Sequence, residues 1–145
     1  MPHKLAVRFQ KQPCFVINRT AFQDTKLVYV ARANKKLAYP WGRSKIAYIG
    51  TTKKGARRIA SSAVWKGEYL LYEYGIKHLE LHIVTCGKIQ SVETWRKLER
   101  ALLIRFKEKF GQVPRANKAG KKIHWRDEQK YFSQDKLDKI LDEIG

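Results

Sequence analysis

Apolar and polar residues alternate with period two in three short stretches of the chain and recur with a helical period in three longer ones. "KLVYVAR" (Lys26 to Arg32) and "KIAYIG" (Lys45 to Gly50) are rich in β-branched and aromatic residues and predict strands. They are joined by a polar segment in which Pro40 and Gly42 of "YPWGRS" mark a turn. "HLELHIVTC" (His78 to Cys86) predicts a third strand, with Leu79, Leu81 and Ile83 on one side and His78, Glu80 and His82 on the other. In "KGARRIASSAVW" the residues Ala56, Ile59, Ala60, Ala63 and Val64 have the spacing of a buried helical face. "SVETWRKLERALLIRFKEKF" predicts a longer helix, with Ser91 as N-cap, Glu93 in the first turn, and Gly111 followed by Pro114 as its stop. A last helix starts at Ser133 and aligns Leu137, Ile140, Leu141 and Ile144 on one stripe. Short strands and helices in this order predict an α/β fold: a small three-stranded, mainly antiparallel sheet flanked by helices, with an extra C-terminal helix. The 145 residues suit one domain.

Period two also sorts the strand side chains. Leu27, Tyr29 and Ala31 lie opposite Val28 and Val30, while Ile46, Tyr48 and Gly50 lie opposite Ala47 and Ile49. If the two strands pair, both phenols can share a face. Tyrosine in a strand is more often core than catalysis. In the long helix, a step of about 100° per residue places Trp95, Leu98, Leu102, Leu103, Phe106 and Phe110 on one stripe, and Glu99 falls inside it. An ionised carboxylate facing a core is costly and persists when paired with a cation or a metal. A functional Glu99 and a structural Glu99 ion pair with Arg or Lys both remain open on helical geometry.

Charge changes the picture most. The chain has 31 Lys plus Arg against 13 Asp plus Glu, a formal +18, and that excess calls for a polyanion. Nucleic acid is the expected partner, with strongly salt-dependent binding. An anionic membrane fits less well, because the basic residues are spread along the chain and form no basic amphipathic helix with an aromatic face. No apolar run approaches the length of a bilayer span, and "MPHKLAVRFQKQP" lacks the pattern of a secretory signal, so the expected location is intracellular, in the cytoplasm. Cys14 and Cys86 have no metal-ligand spacing, and His78, Glu80 and His82 spread along a strand instead of converging on one ion. Tyr39 and Trp41, among Lys35, Lys36, Arg43 and Lys45, are candidates for stacking on bases or wedging into a groove; a loop packed on its own aromatics is the alternative.

Two phenols, an arginine beyond a glycine and a carboxylate on a core face are the ingredients of metal-assisted phosphodiester hydrolysis. In the same order, "LVY" (Leu27 to Tyr29), "YIG" (Tyr48 to Gly50), "TTKKGARRI" with Arg58, and "LERALLIRFKEKFGQVPRANK" with Glu99 and Asn117 resemble the GIY-YIG nuclease family. The resemblance spans about residues 26 to 118, leaving 119–145 as a C-terminal extension, and the last run is similar to members that act as restriction endonucleases. It implies a metal-dependent DNA endonuclease acting on duplex DNA with one Mg²⁺ or Mn²⁺ per site. Tyr29 is then the candidate general base, Tyr48 positions the water or phosphate, and Arg58 holds the non-bridging oxygens, with Arg57 the alternative one residue earlier. Glu99 binds the metal and Asn117 orders the site or touches the phosphate. A free phenol has a pKa of about 10, so Tyr29 needs nearby positive charge to act as a base. Lys53, Arg57 and Lys118, with Tyr39 and Trp41, are candidate nucleic-acid contacts. The chain departs from the family pattern at Leu27, where the signature has glycine, in a longer segment between the tyrosine strands, and at Ser62, where many members have His or Tyr. The rival readings are a non-catalytic nucleic-acid-binding domain, a nuclease acting on RNA, and a basic structural protein of a nucleoprotein particle.

Overall fold

Leu27, Val28, Tyr29 and Val30 are all buried, so this strand is covered on both faces, as a central strand must be. The computed structural model describes residues 4–8, 10–12, 26–53, 59, 68–87, 93–117 and 131–145. In it, β1 (Leu27–Tyr39) pairs antiparallel with β2 (Gly42–Thr52) on one side and with β3 (Leu79–Val84) on the other, giving the order β2-β1-β3. Helix α1 (Thr94–Phe110) and the C-terminal helix α2 (Gln134–Ile144) complete an α/β fold. No described helix is long and apolar enough to cross a membrane.

The first two strands are longer than their apolar cores predict. The polar segment after Arg32 continues as strand up to a tight turn at Pro40 and Trp41, and β2 already begins at Gly42. The reason is a second patch of alternation. Leu37 and Tyr39 are buried while Lys36 and Ala38 are exposed, and register shifts between Ala31 and Arg32 and between Arg32 and Leu37 absorb the polar run.

Two clusters lie on opposite faces of β1. Val28 and Val30 pack with Ile46, Ile49, Leu98, Leu102 and Phe106 in the main core, where α2 adds Leu137, Leu141 and Ile144. Leu27 and Tyr29 face the other way and pack with Ile59, Tyr48, Leu81 and Ile83. The helix expected over residues 54–65 lies outside the described residues except for Ile59, which is helical and buried in this second cluster.

Helix α1 starts later than predicted. Glu93, not Ser91, holds the N-cap position, and its carbonyl accepts the Arg96 and Lys97 N–H groups at 3.1 and 3.2 Å. The Glu93 carboxylate reaches forward to Arg96 at 3.3 Å and so supplies no side-chain cap. Ser91 itself lies outside the described residues. The stop is as expected: Gly111 takes a left-handed φ of 87° and donates its N–H to the Lys107 carbonyl, a conformation that favours glycine. Ser133 occupies the N-cap of α2, where its carbonyl, not its hydroxyl, accepts the Leu137 N–H.

Arg105 joins the two helices through a fork on Asp138, Nε to Oδ1 at 2.5 Å and Nη2 to Oδ2 at 3.1 Å. The bonds from Arg105 hold the Asp138 carboxyl below its ordinary 3.8 against the opposing effect of burial. A carboxylate whose folded pKa is depressed stabilises the fold above its unfolded pKa and loses that contribution as pH falls through the folded value. Replacing Asp138 with Asn should therefore cost about 1 kcal/mol at neutral pH. The gap between the two melting curves should close once the pH is well below 3.8. Urea titrations at neutral and strongly acidic pH measure both, and an equal gap at the two pH values refutes the assignment.

Candidate active site

Antiparallel pairing brings the two strand tyrosines together. Tyr29 stands opposite Gly50 and Tyr48 opposite Ala31, so the phenols are diagonal neighbours on one face, with ring centroids 5.8 Å apart and planes at 43°. The space they share exists because residue 50 is glycine. A Cβ there would lie 2.6 Å from Tyr48 Cε1 and 2.9 Å from both Cζ and the hydroxyl of Tyr29. The Tyr29 side belongs to the central strand and is only 4% exposed, whereas Tyr48 on the edge strand is half-buried.

Burial raises the Tyr48 phenol well above the ordinary tyrosine pKa, followed by its proximity to and hydrogen bond with Tyr29 and by the negative charge of Glu99. Tyr48 therefore keeps its proton at neutral pH and acts as a hydrogen-bond donor. Glu99, 7% exposed on α1 among Trp95, Leu98 and Leu102, lies within electrostatic reach of that phenol. The charge of the carboxylate on the apolar stripe is thus felt by the phenol on β2. Among the described residues, Glu99 is the buried carboxylate, and no group of three or more His, Cys, Asp and Glu side chains converges to hold a metal.

Asn117 acts on the backbone. Its Oδ1 accepts the Ile49 N–H at 3.0 Å and its Nδ2 donates to the Ile49 carbonyl at 2.8 Å, while the Ala116 N–H donates to the Ala47 carbonyl at 2.9 Å. The carboxamide has the donor and acceptor pattern of a peptide group, so the segment after α1 closes the outer edge of β2 on either side of Tyr48. Of the two roles expected for Asn117, the structure places it where it orders the strand.

The aromatic turn divides in two. Tyr39 is not available for stacking on bases: it is buried, packs against Phe106 and Phe110 at centroid distances of 5.0 and 5.9 Å, and donates its hydroxyl to the Ile46 carbonyl at 2.6 Å. Burial pushes its phenol up to about 12. It fails as a nucleic-acid contact because its strand position faces the helices. Trp41, in contrast, is 71% exposed, and Lys53 is exposed at the end of β2. Arg57, Arg58, Ser62 and Lys118 lie outside the described residues.

On β3, Glu80 draws Arg32 to 2.9 Å, His82 to 3.3 Å and His78 to 3.6 Å. Arg32 also donates Nε to the Ile144 carbonyl at the end of α2, so this cluster ties the sheet to the C-terminal helix. Two features escaped the sequence reading. Arg32 has no pattern that announces its partners, whereas Gly50 had a signal, a glycine two residues beyond a strand tyrosine on the same face.

Two substitutions test this geometry. Gly50→Ala should cost roughly 1–3 kcal/mol, because the added methyl must displace one of two confined rings; an unchanged melting temperature contradicts the close approach. Asn117→Ala leaves both polar groups of Ile49 without their partner and should cost about 1–3 kcal/mol. Asn117→Asp should be no better, since it sets a carboxylate oxygen against the Ile49 carbonyl. Stability of the aspartate variant equal to the native chain would show that the side chain is not paired with this backbone. No protein-family model, curated protein or solved structure matches the chain.

Proposed function

We propose that the chain is a metal-dependent endonuclease of the GIY-YIG type that hydrolyses phosphodiester bonds in DNA. The observation that supports it most is the pairing of Tyr29 and Tyr48 around a glycine that gives the phenols room, with the buried Glu99 of a third element within electrostatic reach of Tyr48. Packing alone accounts for tyrosines on a strand; a buried carboxylate whose charge bears on one of them is the further feature. The net charge of +18 supplies the attraction for the substrate.

Glu99 and the two phenols form an all-oxygen donor set, which suits a hard divalent cation that keeps several of its waters. A cation also offsets the cost of burying the Glu99 charge. Glu99 would hold the ion, Mg²⁺ or Mn²⁺, and the ion would supply Lewis-acid stabilisation of charge on the phosphate. The chain's own residues then divide the remaining work. Tyr48, protonated at neutral pH, has one O–H, which would turn from Tyr29 to a phosphate oxygen or to the attacking water when substrate binds. Tyr29, as a phenolate stabilised by nearby positive charge, is the proposed acceptor of the proton from that water, which leaves it a neutral phenol and the water a hydroxide for attack on phosphorus. Its hydrogen bond with Tyr48 fixes the orientation of the pair. Arg58, by the family resemblance, grips the non-bridging oxygens with its planar fork. Asn117 is a positioning residue that holds β2, and hence Tyr48, in place.

Supercoiled plasmid incubated with Mg²⁺, and in parallel with EDTA, tests the reading directly. Conversion to open-circular or linear DNA only with the metal is expected, with RNA digested in a parallel arm to identify the polymer. No cleavage under any divalent cation refutes the proposal. Within an active preparation, Glu99→Gln should keep the fold and DNA binding but reduce cleavage at least about a hundredfold. A Glu99→Gln protein that loses several kcal/mol of stability, yet whose folded fraction still cuts, would make Glu99 half of a structural ion pair instead. Tyr29→Phe, which keeps the ring that packs on Leu27 and Ile59, should lower the cleavage rate by about 10² to 10⁴. A rate within a few-fold of the native one removes Tyr29 from the chemistry.

A further inference from the structure

We propose that the tip of the β1–β2 hairpin is a second nucleic-acid contact, where the Trp41 indole stacks on an unpaired base and Arg43 and Arg115 face the adjoining phosphates. The proposal rests on nucleic acid being the partner of this chain, and it adds a contact away from the phenols. Four observations meet at the tip. First, the turn is held by groups other than the indole. Trp41 is held by its backbone N–H, which donates to the Phe110 carbonyl at 3.1 Å, and the core beneath the turn is filled by Tyr39, Phe106 and Phe110. An aromatic side chain that is 71% exposed on a turn held by its backbone and by other rings is a surface feature to be explained.

Second, the ring is seated on one side and open on the others. Gly111, in its left-handed conformation, lies so close that a Cβ there would come within 3.0 Å of Trp41 Cδ2 and 3.2 Å of Cε2. The end of α1 therefore serves as a seat for one edge of the indole. An aromatic group held in this way loses little freedom when a base stacks on it. Third, the surroundings are cationic. Arg43 is exposed in the register position opposite Ala38, and Arg115 donates to the Ala38 carbonyl, a neutral acceptor that leaves its charge in place. Tyr69 and Tyr72 are also exposed, but they stand beside Glu68 and Glu73, so an anionic polymer is favoured at Trp41 over that segment.

Fourth, the tip is far from the phenols along the same strand. From Tyr29 to Tyr39 the rise of β1 amounts to about 30 Å, the length of roughly nine nucleotides at 3.4 Å each. A strand of that length or more can reach both places, and aromatic stacking tolerates any base because every base offers a π-face.

The test measures binding of a labelled single-stranded oligodeoxynucleotide long enough to span both contacts, and of a blunt duplex of equal length, with EDTA present to prevent cleavage. Trp41→Ala should weaken single-strand binding roughly tenfold and duplex binding by a smaller factor. Trp41→Phe should retain most of the affinity, and the melting temperature of both variants should match the native protein. Trp41→Leu, which keeps apolar bulk over Gly111 but no π-face, should lose affinity as the alanine variant does. Native-like single-strand affinity in Trp41→Ala or Trp41→Leu overturns the proposal, as does an equal fold-loss on single strand and duplex. A native protein that binds neither polymer overturns the nucleic-acid reading itself, a result distinct from the failure of Trp41 alone.

Discussion

A side chain at position 50 would occupy the volume that the Tyr29 and Tyr48 rings share, and this exclusion governs the face of the sheet on which the candidate chemistry stands. Antiparallel pairing sets Gly50 directly across from Tyr29, and period two then fixes Tyr48 as its diagonal neighbour. Only the absence of a Cβ lets both phenols turn over the same point. The central position of β1 adds the second half of the constraint. With helices covering one face and Ile59, Leu81 and Ile83 on the other, Tyr29 has little room to leave the pair.

Glu99 reaches this place from the opposite side of the packing. Helix α1 buries Leu98, Leu102 and Phe106 against the sheet, which fixes its rotation and keeps Glu99 within electrostatic reach of Tyr48. The chain leaving α1 then turns at Gly111 and returns along the same edge, where Asn117 pairs with Ile49. One continuous segment thus positions the acid and braces the strand that bears the phenol. A displacement of α1 would move all of these together.

The elements were legible where burial on one side imposes a period. The stripe of α1, including Glu99, and the common face of Tyr29 and Tyr48 both follow from spacing, because side-chain direction is set by the backbone within each element. The extension of β1 to Tyr39 was not legible, since Asn34, Lys35 and Lys36 interrupt the alternation and a register shift accommodates them. For the same reason spacing leaves Tyr39 open between stacking on bases and packing within its own loop. Once its segment is strand, it faces Phe106 and Phe110. The start of α1 moved because Glu93 can bind Arg96 as well as sit near a helix terminus, and local sequence does not choose between these. Asn117 was legible as a residue of interest, but its partner Ile49 is distant in sequence and only the tertiary fold supplies it.

The protonation state of the cluster links its geometry to its charge. Two phenols and a carboxylate close together do not readily bear more than one negative charge, because each ionisation raises the cost of the next. The negative charge of Glu99 is among the causes that keep the proton on Tyr48, after burial and the neighbouring Tyr29. Positive charge brought next to the carboxylate, as a cation or as an arginine, would relieve that repulsion. The net charge of +18 is diffuse and screened over about 8–10 Å, so it does not replace a cation in contact. Long-range attraction of a polyanion and local compensation of the buried acid are therefore separate requirements, one met by the whole surface and the other only at Glu99.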